Sequence, residues 1–341
     1  MQQHAKRLLL TILVFCLGAL SGVFGYAVVN AQAEDKVFRL DDEYSSSYSY
    51  IRPLLMCGLS EEDESARLAD LEMDVTDAIQ EYGNAGITVS VYFRELRSNS
   101  WFGVNEEEEY SPASLWKLPL MMTYLKLEEM ESDVFENDFY YAEDLGLNDY
   151  QNYIPEEAIA VGNTYSTDDL LEKMIVYSDN NAAGLLEQRL IETGDLWYLV
   201  YNDIGLRIPI HIEPMTEFIS PKAYSYFFRV LYNSTYLTDA NSEKALELLS
   251  RDRFEDGIAA SVPVEIPVSQ KFGERKLVVG DEVLETELHD CGIVYFPKDP
   301  YILCVMTKGD AEFEQLSAII QHVSQVVYGA VEENNGWLGF F

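Results

Sequence analysis

The order of secondary-structure patterns along the chain limits its fold more than any single motif does. Apolar residues at spacings of three and four predict a helix over residues 61–82, and Pro112 precedes another predicted helix over residues 114–128. Strands are predicted over residues 87–93, 101–104, 267–272, 276–279, 289–295 and 301–307, with a mostly helical middle to about residue 236 and a closing helix over 313–331. This order predicts an α+β fold, in which both ends of the chain share one antiparallel sheet with helices on both faces and a helical subdomain.

Ser114 and Lys117 open the helix predicted over residues 114–128, within the sequence SPASLWKLPLMMTYL. Residues three apart lie on one face of a helix, so the hydroxyl and the amine can meet. The start of a helix also favours negative charge, which helps a serine to act as a nucleophile. A helix cap followed by a surface lysine is the structural alternative. Apolar residues flank Lys117 on both sides, however, which is unusual for a solvated lysine.

Two further polar groups interrupt apolar stretches. Ser178, Asp179 and Asn180 lie between two predicted helical segments, where a hydroxyl and a carboxamide could deliver a proton and hold a substrate amide. Lys271 and Gly273 lie on a predicted strand, where a glycine indicates close approach of a ligand to the backbone. Taken singly, the first group also fits a polar turn and the second an edge strand with a bulge.

Together, and in this order, the three groups resemble the S-x-x-K, S-D-N and K-T-G motifs of the class A β-lactamases and penicillin-binding proteins. The resemblance covers about residues 60–333 and includes the sequences SDNNAAGLL and HDCGIVYFP. It implies a β-lactamase/transpeptidase-like fold and an acyl-enzyme mechanism. Ser114 would attack the carbonyl with Lys117 as base, and Ser178 would pass a proton to the leaving nitrogen. The backbone N–H groups of Ser114 and Glu274 would form the oxyanion hole.

The resemblance also implies the residues that bind substrate, with one departure. Asn180 would bind the amide side chain of the substrate, Lys271 would attract its carboxylate, and Gly273 would let it approach the strand. Phe272 stands where the family has threonine, so a hydroxyl that holds the substrate carboxylate is missing. We therefore expect weakened affinity for penicillins.

A second departure concerns release of the acyl group. Class A β-lactamases use a glutamate that acts through a water. Glu213 lies near the expected position and is the candidate for this base, but the loop up to Pro221 is shortened. Glu217 replaces the asparagine that follows in the family, and a second carboxylate would repel the first. The sequence therefore favours Glu213 as an ordinary surface acid, and slow deacylation.

The cysteines and histidines show no metal-ligand pattern, so a zinc hydrolase is disfavoured and no metal or cofactor is expected. Cys291 and Cys304 fall on neighbouring predicted strands, at an offset expected to make them diagonal neighbours, which argues against a bridge. An exported protein could still form a disulfide, and buried free thiols are the alternative. We expect His289 and Asp290 to have a structural role.

Residues 8–29 carry no charge and follow Lys6 and Arg7. This segment is long enough to span a bilayer, and the basic pair predicts that the rest of the chain lies outside the cytoplasm. Residues 31–33, Ala-Gln-Ala, resemble a cleavage site, so a removed signal peptide is the alternative to a retained anchor. The predicted parts are an anchor or signal peptide (1–33), an extracytoplasmic linker (34–57), the serine hydrolase domain (58–333) and a tail (334–341).

The charge balance narrows the possible partners. The chain has 23 Lys+Arg against 59 Asp+Glu, a net charge of −36, which would repel nucleic acid. We expect a monomer that acts on a β-lactam or a peptidoglycan peptide, as a β-lactamase or a D,D-peptidase-like enzyme. A catalytically weak penicillin-binding or wall-sensing module is the alternative. Phe272 favours this alternative, whereas the intact motif residues oppose it.

Overall fold

The computed structural model describes residues 48–53, 66–130, 138–194, 199–209, 216–280 and 282–338. Its strands are β1 (Thr88–Glu95), β2 (Trp101–Val104), β3 (Phe139–Tyr140), β4 (Thr164–Tyr165), β5 (Val268–Val279), β6 (Glu282–Val294) and β7 (Tyr301–Gly309). Five of them form the main antiparallel sheet in the order β2-β1-β7-β6-β5, while β3 and β4 form a separate pair. The two ends of the described chain share one sheet, as predicted, and β5 forms one of its edges.

The described ranges contain eight α-helices. These are α1 (Ala69–Asn84), α2 (Lys117–Glu129), α3 (Thr167–Val176), α4 (Asn180–Thr193), α5 (Leu199–Asp203), α6 (Pro221–Tyr232), α7 (Asp239–Ser250) and α8 (Phe313–Leu338). Apolar residues of α1 and α8 pack on one face of the sheet, and those of α2, α6 and α7 belong to the core on the other face. The predicted α+β architecture is confirmed.

Helix α2 positions the first motif because it is buried on nearly all sides. Its residues from Lys117 to Leu125 are all buried. A helix that is apolar all round has no solvent face and must lie inside the molecule. The chain that continues the Ser114 turn is therefore held by the core.

Three local predictions differ from the structure. Strand β5 is continuous across Gly273, where the sequence predicted two separate strands, 267–272 and 276–279. Its partner β6 begins at Glu282, seven residues before the predicted start at residue 289, so the hairpin between β5 and β6 is long. Helix α7 was not predicted, although Thr238 caps it and Ala245, Leu246 and Leu249 supply its buried side.

The expected absence of a bridge between Cys291 and Cys304 is wrong. The two residues are direct partners in the β6–β7 register, with their Cα atoms 4.0 Å apart, and a disulfide joins them. The prediction counted residues across the turn between the two strands and placed the cysteines one position out of register. An error of one position in the register puts directly opposed side chains on different faces of the sheet.

Part of the predicted linker is docked on the domain. The backbone N–H groups of Ser49, Tyr50 and Ile51 all donate to the carboxylate of Glu243 on α7, and Ile51 is fully buried. No helix within the described ranges is long and apolar enough to cross a membrane. The predicted anchor over residues 8–29 and Cys57 lie outside those ranges.

Candidate active site

Ser114 lies in a short 3₁₀ turn, Ala113–Trp116, directly before α2. The preceding residue, Ala113, has a positive φ of 44°, which is unfavourable for a residue with a Cβ. The turn is held from two sides, because Leu115 N–H donates to Pro112 O at 2.8 Å and Tyr224 Oη donates to Leu115 O at 3.0 Å. A strained backbone that its surroundings enforce is typical of functional positions.

Lys117 is fully buried and directed at the second motif. Its Nζ lies 2.7 Å from Ser178 O and 3.0 Å from Ser178 Oγ. Burial lowers the pKa of the Lys117 amine well below its usual value, and Lys271 lowers it further. Both effects favour the neutral amine, which is the form that can accept a proton.

Ser178 and Asp179 form a rigid junction between α3 and α4. Ser178 has a positive φ of 56°. The backbone is therefore strained at both serine motifs, here and at Ala113 beside Ser114. One oxygen of Asp179 caps α4 by accepting Asn181 N–H at 2.8 Å, and the other accepts Ile159 N–H at 2.8 Å. The middle residue of the motif therefore fixes both the helix and the neighbouring loop.

The segment Leu147–Asn152 lies beside Asn180 and Ser178. Asn180 Nδ2 donates to Leu147 O at 3.1 Å, and Gln151 Nε2 donates to Ser178 O at 3.0 Å. The next residue, Asn152, donates its backbone N–H to Glu274 on β5 at 3.0 Å. We call residues 147–153 the cross-cleft loop, because they connect the Ser178 side of the site with the edge strand.

Lys271 forms a buried ion pair. Its Nζ lies 3.0 Å from Asp252 Oδ2, and the two side chains are 0% and 1% exposed. Burial raises the pKa of Asp252, and the neighbouring Lys271 opposes that rise. The sequence predicted Lys271 to attract a substrate carboxylate, but its charge is already balanced by an internal carboxylate.

Phe272 belongs to an aromatic cluster rather than to a polar binding surface. Its ring stacks on Phe254 at 4.2 Å between centroids and meets Tyr153 edge-on at 5.6 Å. The side chain is 4% exposed. This packing accounts for an aromatic residue at the place where the resembling family has a threonine.

Gly273 lies against the Ser114 turn. A Cβ atom at this residue would be 3.0 Å from Pro112 O and 3.2 Å from Leu115 N. A side chain at this position would therefore push β5 and the turn apart by a few tenths of an ångström, which a glycine avoids. Strand β5 and the Ser114 turn are therefore adjacent. They carry the two backbone N–H groups, of Glu274 and Ser114, that were expected to form the oxyanion hole.

The Glu274 side chain was not singled out by the sequence. One carboxylate oxygen accepts the backbone N–H groups of Asn152 and Tyr153, at 3.0 Å and 2.9 Å. Burial raises the pKa of Glu274, and these hydrogen bonds and the charges of Lys117 and Lys271 oppose the rise. The carboxylate thus lies within electrostatic range of both motif lysines.

His289 and Asp290 are central residues of β6 and fully buried. His289 Nε2 lies 3.1 Å from Ser111 O and 3.2 Å from Glu287 Oε2. It supports the backbone three residues before Ser114. Asp290 accepts Ile258 N–H at 2.8 Å on the other side of the sheet. Both contacts are structural, which agrees with the role that the sequence favoured for these residues.

The candidate deacylating base, Glu213, lies outside the described residues. Glu217 is described, and its carboxylate lies 2.9 Å from Lys308 Nζ and 3.8 Å from Arg275 Nη2. Glu217, Glu285 and Glu287 place carboxylate oxygens within 4.8 Å of one another, with the Arg275 guanidinium beside all three. That guanidinium supplies the positive charge that a metal ion would otherwise bring.

The comparisons with known proteins agree with this geometry. The model of the beta-lactamase enzyme family matches residues 70–331. The chain belongs to this family. Comparison with curated proteins finds no match.

Three solved structures illustrate the similarity in fold. A mutant of PBP-A, in an acyl-enzyme complex with penicillin G, is 20% identical at a TM-score of 0.65, covering 81% of this chain and 100% of that one. The class A β-lactamase from Mycobacterium abscessus is 17% identical at 0.63, covering 77% and 99%. A β-lactamase from Xanthomonas campestris pv. campestris is 18% identical at 0.62, covering 77% and 97%.

Two charged residues that contact the site were not predicted from the sequence. Asp252 balances Lys271, and Glu274 holds the cross-cleft loop. The only local signal for Glu274 was its place directly after Gly273. Asp252 lies in the segment RDRFEDG, where nothing distinguishes it from the neighbouring acids.

Proposed function

We propose that this member of the beta-lactamase enzyme family is an exported serine acyl-enzyme that acts on a β-lactam or on a peptide of the cell wall. The observation that carries the proposal is the buried contact between Lys117 Nζ and Ser178 Oγ, 3.0 Å, one helical turn from Ser114. Burial lowers the pKa of the Lys117 amine, and a lysine with a lowered pKa is suited to proton transfer.

The chemistry follows from these positions. Ser114 Oγ attacks the carbonyl carbon of the substrate while its proton passes to the neutral amine of Lys117. The proton then moves through Ser178 to the leaving nitrogen as the C–N bond breaks, which leaves an ester on Ser114 and a free amine. Water then hydrolyses the ester to a carboxylic acid and restores the serine.

Slow hydrolysis of the ester is part of the proposal. The shortened loop at Glu213 supports it, and so does Glu217, whose carboxylate is engaged by Lys308 and Arg275. An acyl-enzyme that persists would make the protein a penicillin-binding, peptidase-like enzyme rather than an efficient β-lactamase.

A second candidate is a weakly catalytic module that binds penicillin or senses the cell wall. One contact favours it. Lys271, expected to bind a substrate carboxylate, is paired with Asp252. Export through the segment at residues 8–29, retained as an anchor or removed, and action as a monomer belong to the proposal in either case.

Intact-protein mass spectrometry with a fluorescent penicillin tests the proposal, with Ser114→Ala as the matched control. We expect a stable adduct on the wild-type chain and none on the variant. Hydrolysed drug without an adduct would instead indicate a β-lactamase and make Glu213 the next residue to replace. Intact drug without an adduct, after long incubation at high concentration, would favour the binding module.

A further inference from the structure

Glu274 brings a carboxylate to the edge strand, within electrostatic range of the two motif lysines. The cross-cleft loop fixes its position, because Asn152 and Tyr153 donate to it while Gln151 of the same loop donates to Ser178 O. The carboxylate therefore lies one strand residue from Gly273, which contacts the Ser114 turn.

The neighbouring cations balance this carboxylate only in part. Lys271 is paired with Asp252 at 3.0 Å, so its charge is compensated within the protein. Burial favours the neutral form of Lys117. At position 272 the phenyl ring packs in an aromatic cluster and offers no hydrogen-bond donor. Among the described residues of the cleft formed by the three motifs, no cation forms an ion pair with Glu274, so its ionised form adds a negative charge without a direct partner.

We infer that Glu274 is a specificity-determining residue that disfavours substrates with a free carboxylate beside the reacting amide. Neutral or cationic leaving groups, such as an amidated or amine-bearing peptide end, are the preferred class. This inference rests on the proposed acyl-enzyme at Ser114. Like charges at close range in a partly buried cleft repel strongly, so the preference affects the rate of acylation at low substrate concentration.

The test compares three derivatives of benzylpenicillin on the full-length chain: the free acid, its methyl ester and its dialkylaminoethyl ester. The rate of adduct formation on Ser114 is followed by intact-protein mass spectrometry at concentrations below saturation. We expect both esters to react about tenfold or more faster than the acid.

Glu274→Gln removes the charge but keeps an oxygen that can accept from Asn152 and Tyr153. The ratio of ester rate to acid rate should fall about tenfold in this variant. Glu332→Gln, which removes an exposed carboxylate on α8, should leave the ratio unchanged. The comparison of ratios cancels any general effect of the esters' size.

The outcomes separate the two proposals. Adducts whose acid-to-ester ratio is the same in the wild type and in Glu274→Gln would overturn the inference and leave the acyl-enzyme intact. A wild-type chain that reacts fastest with the free acid would overturn the inference even if Glu274→Gln did not fold. Absence of an adduct from all three compounds would overturn both.

Discussion

Asp290 is fully buried on β6, where one of its oxygens accepts Ile258 N–H at 2.8 Å. Burial raises the pKa of this carboxyl from 3.8 to about 8, and the nearby Asp252 adds to the rise. The folded protein therefore holds the Asp290 proton more tightly than the unfolded chain does. The contribution to the free energy of unfolding is greatest below pH about 4, and it is lost as the pH rises towards 8.

Asp290→Asn should remove this pH dependence. One proton contributes a slope of about 1.4 kcal/mol per pH unit, so the wild type should lose about 4 kcal/mol between pH 5 and pH 8 from this residue alone. The variant keeps an oxygen for Ile258 N–H and cannot ionise. The difference in stability between the two proteins should therefore be smallest at pH 5 and should widen in favour of the variant up to pH 8.

Urea unfolding followed by tryptophan fluorescence, at four pH values from 5 to 8, measures the slopes. Asp310→Asn, an exposed aspartate after β7, is the matched control and should keep the wild-type slope. Parallel curves for the wild type and Asp290→Asn would show that Asp290 is ionised in the folded protein at neutral pH, and the reasoning from burial would be wrong.

Three other changes test the site and its support. Lys117→Met should lower the acylation rate about 100-fold or more, because the proton acceptor is lost, while the thermal midpoint stays the same or rises. Gly273→Ala should slow acylation about 10- to 100-fold, because the added Cβ would lie 3.0 Å from Pro112 O and would displace the Ser114 turn. Wild-type acylation kinetics of this variant in a stopped-flow assay would contradict the prediction. Glu243→Ala should cost about 1–3 kcal/mol in urea unfolding, because three backbone N–H groups lose their acceptor, whereas Glu247→Ala on the exposed side of the same helix should cost almost nothing.

Local patterns were enough to predict most of the sheet and the order of the motifs. Strand β2 has the predicted bounds, and β1 and α8 begin within one residue of the predicted positions, because alternation and helical spacing express burial directly. The placement of Ser114, Lys117 and Ser178 in one site followed from the family resemblance rather than from periodicity.

The features that were missed depend on contacts between distant parts of the chain. Glu274 meets Asn152 across 122 positions, and Lys271 meets Asp252 across 19. A single sequence contains no signal for such pairs. The pairing of Cys291 with Cys304 depended on the strand register, which no count across a turn of uncertain geometry can fix.

The cross-cleft loop orients Asn180 before any substrate is bound. One N–H of its Nδ2 donates to Leu147 O, and the second N–H of the same amide can donate to a substrate carbonyl. Because the loop already holds the side chain, less rotamer freedom is lost when a substrate amide binds there. Retention of a wall fragment between acylation and hydrolysis would still depend on the covalent bond to Ser114, and occupancy would be governed by how long that ester survives.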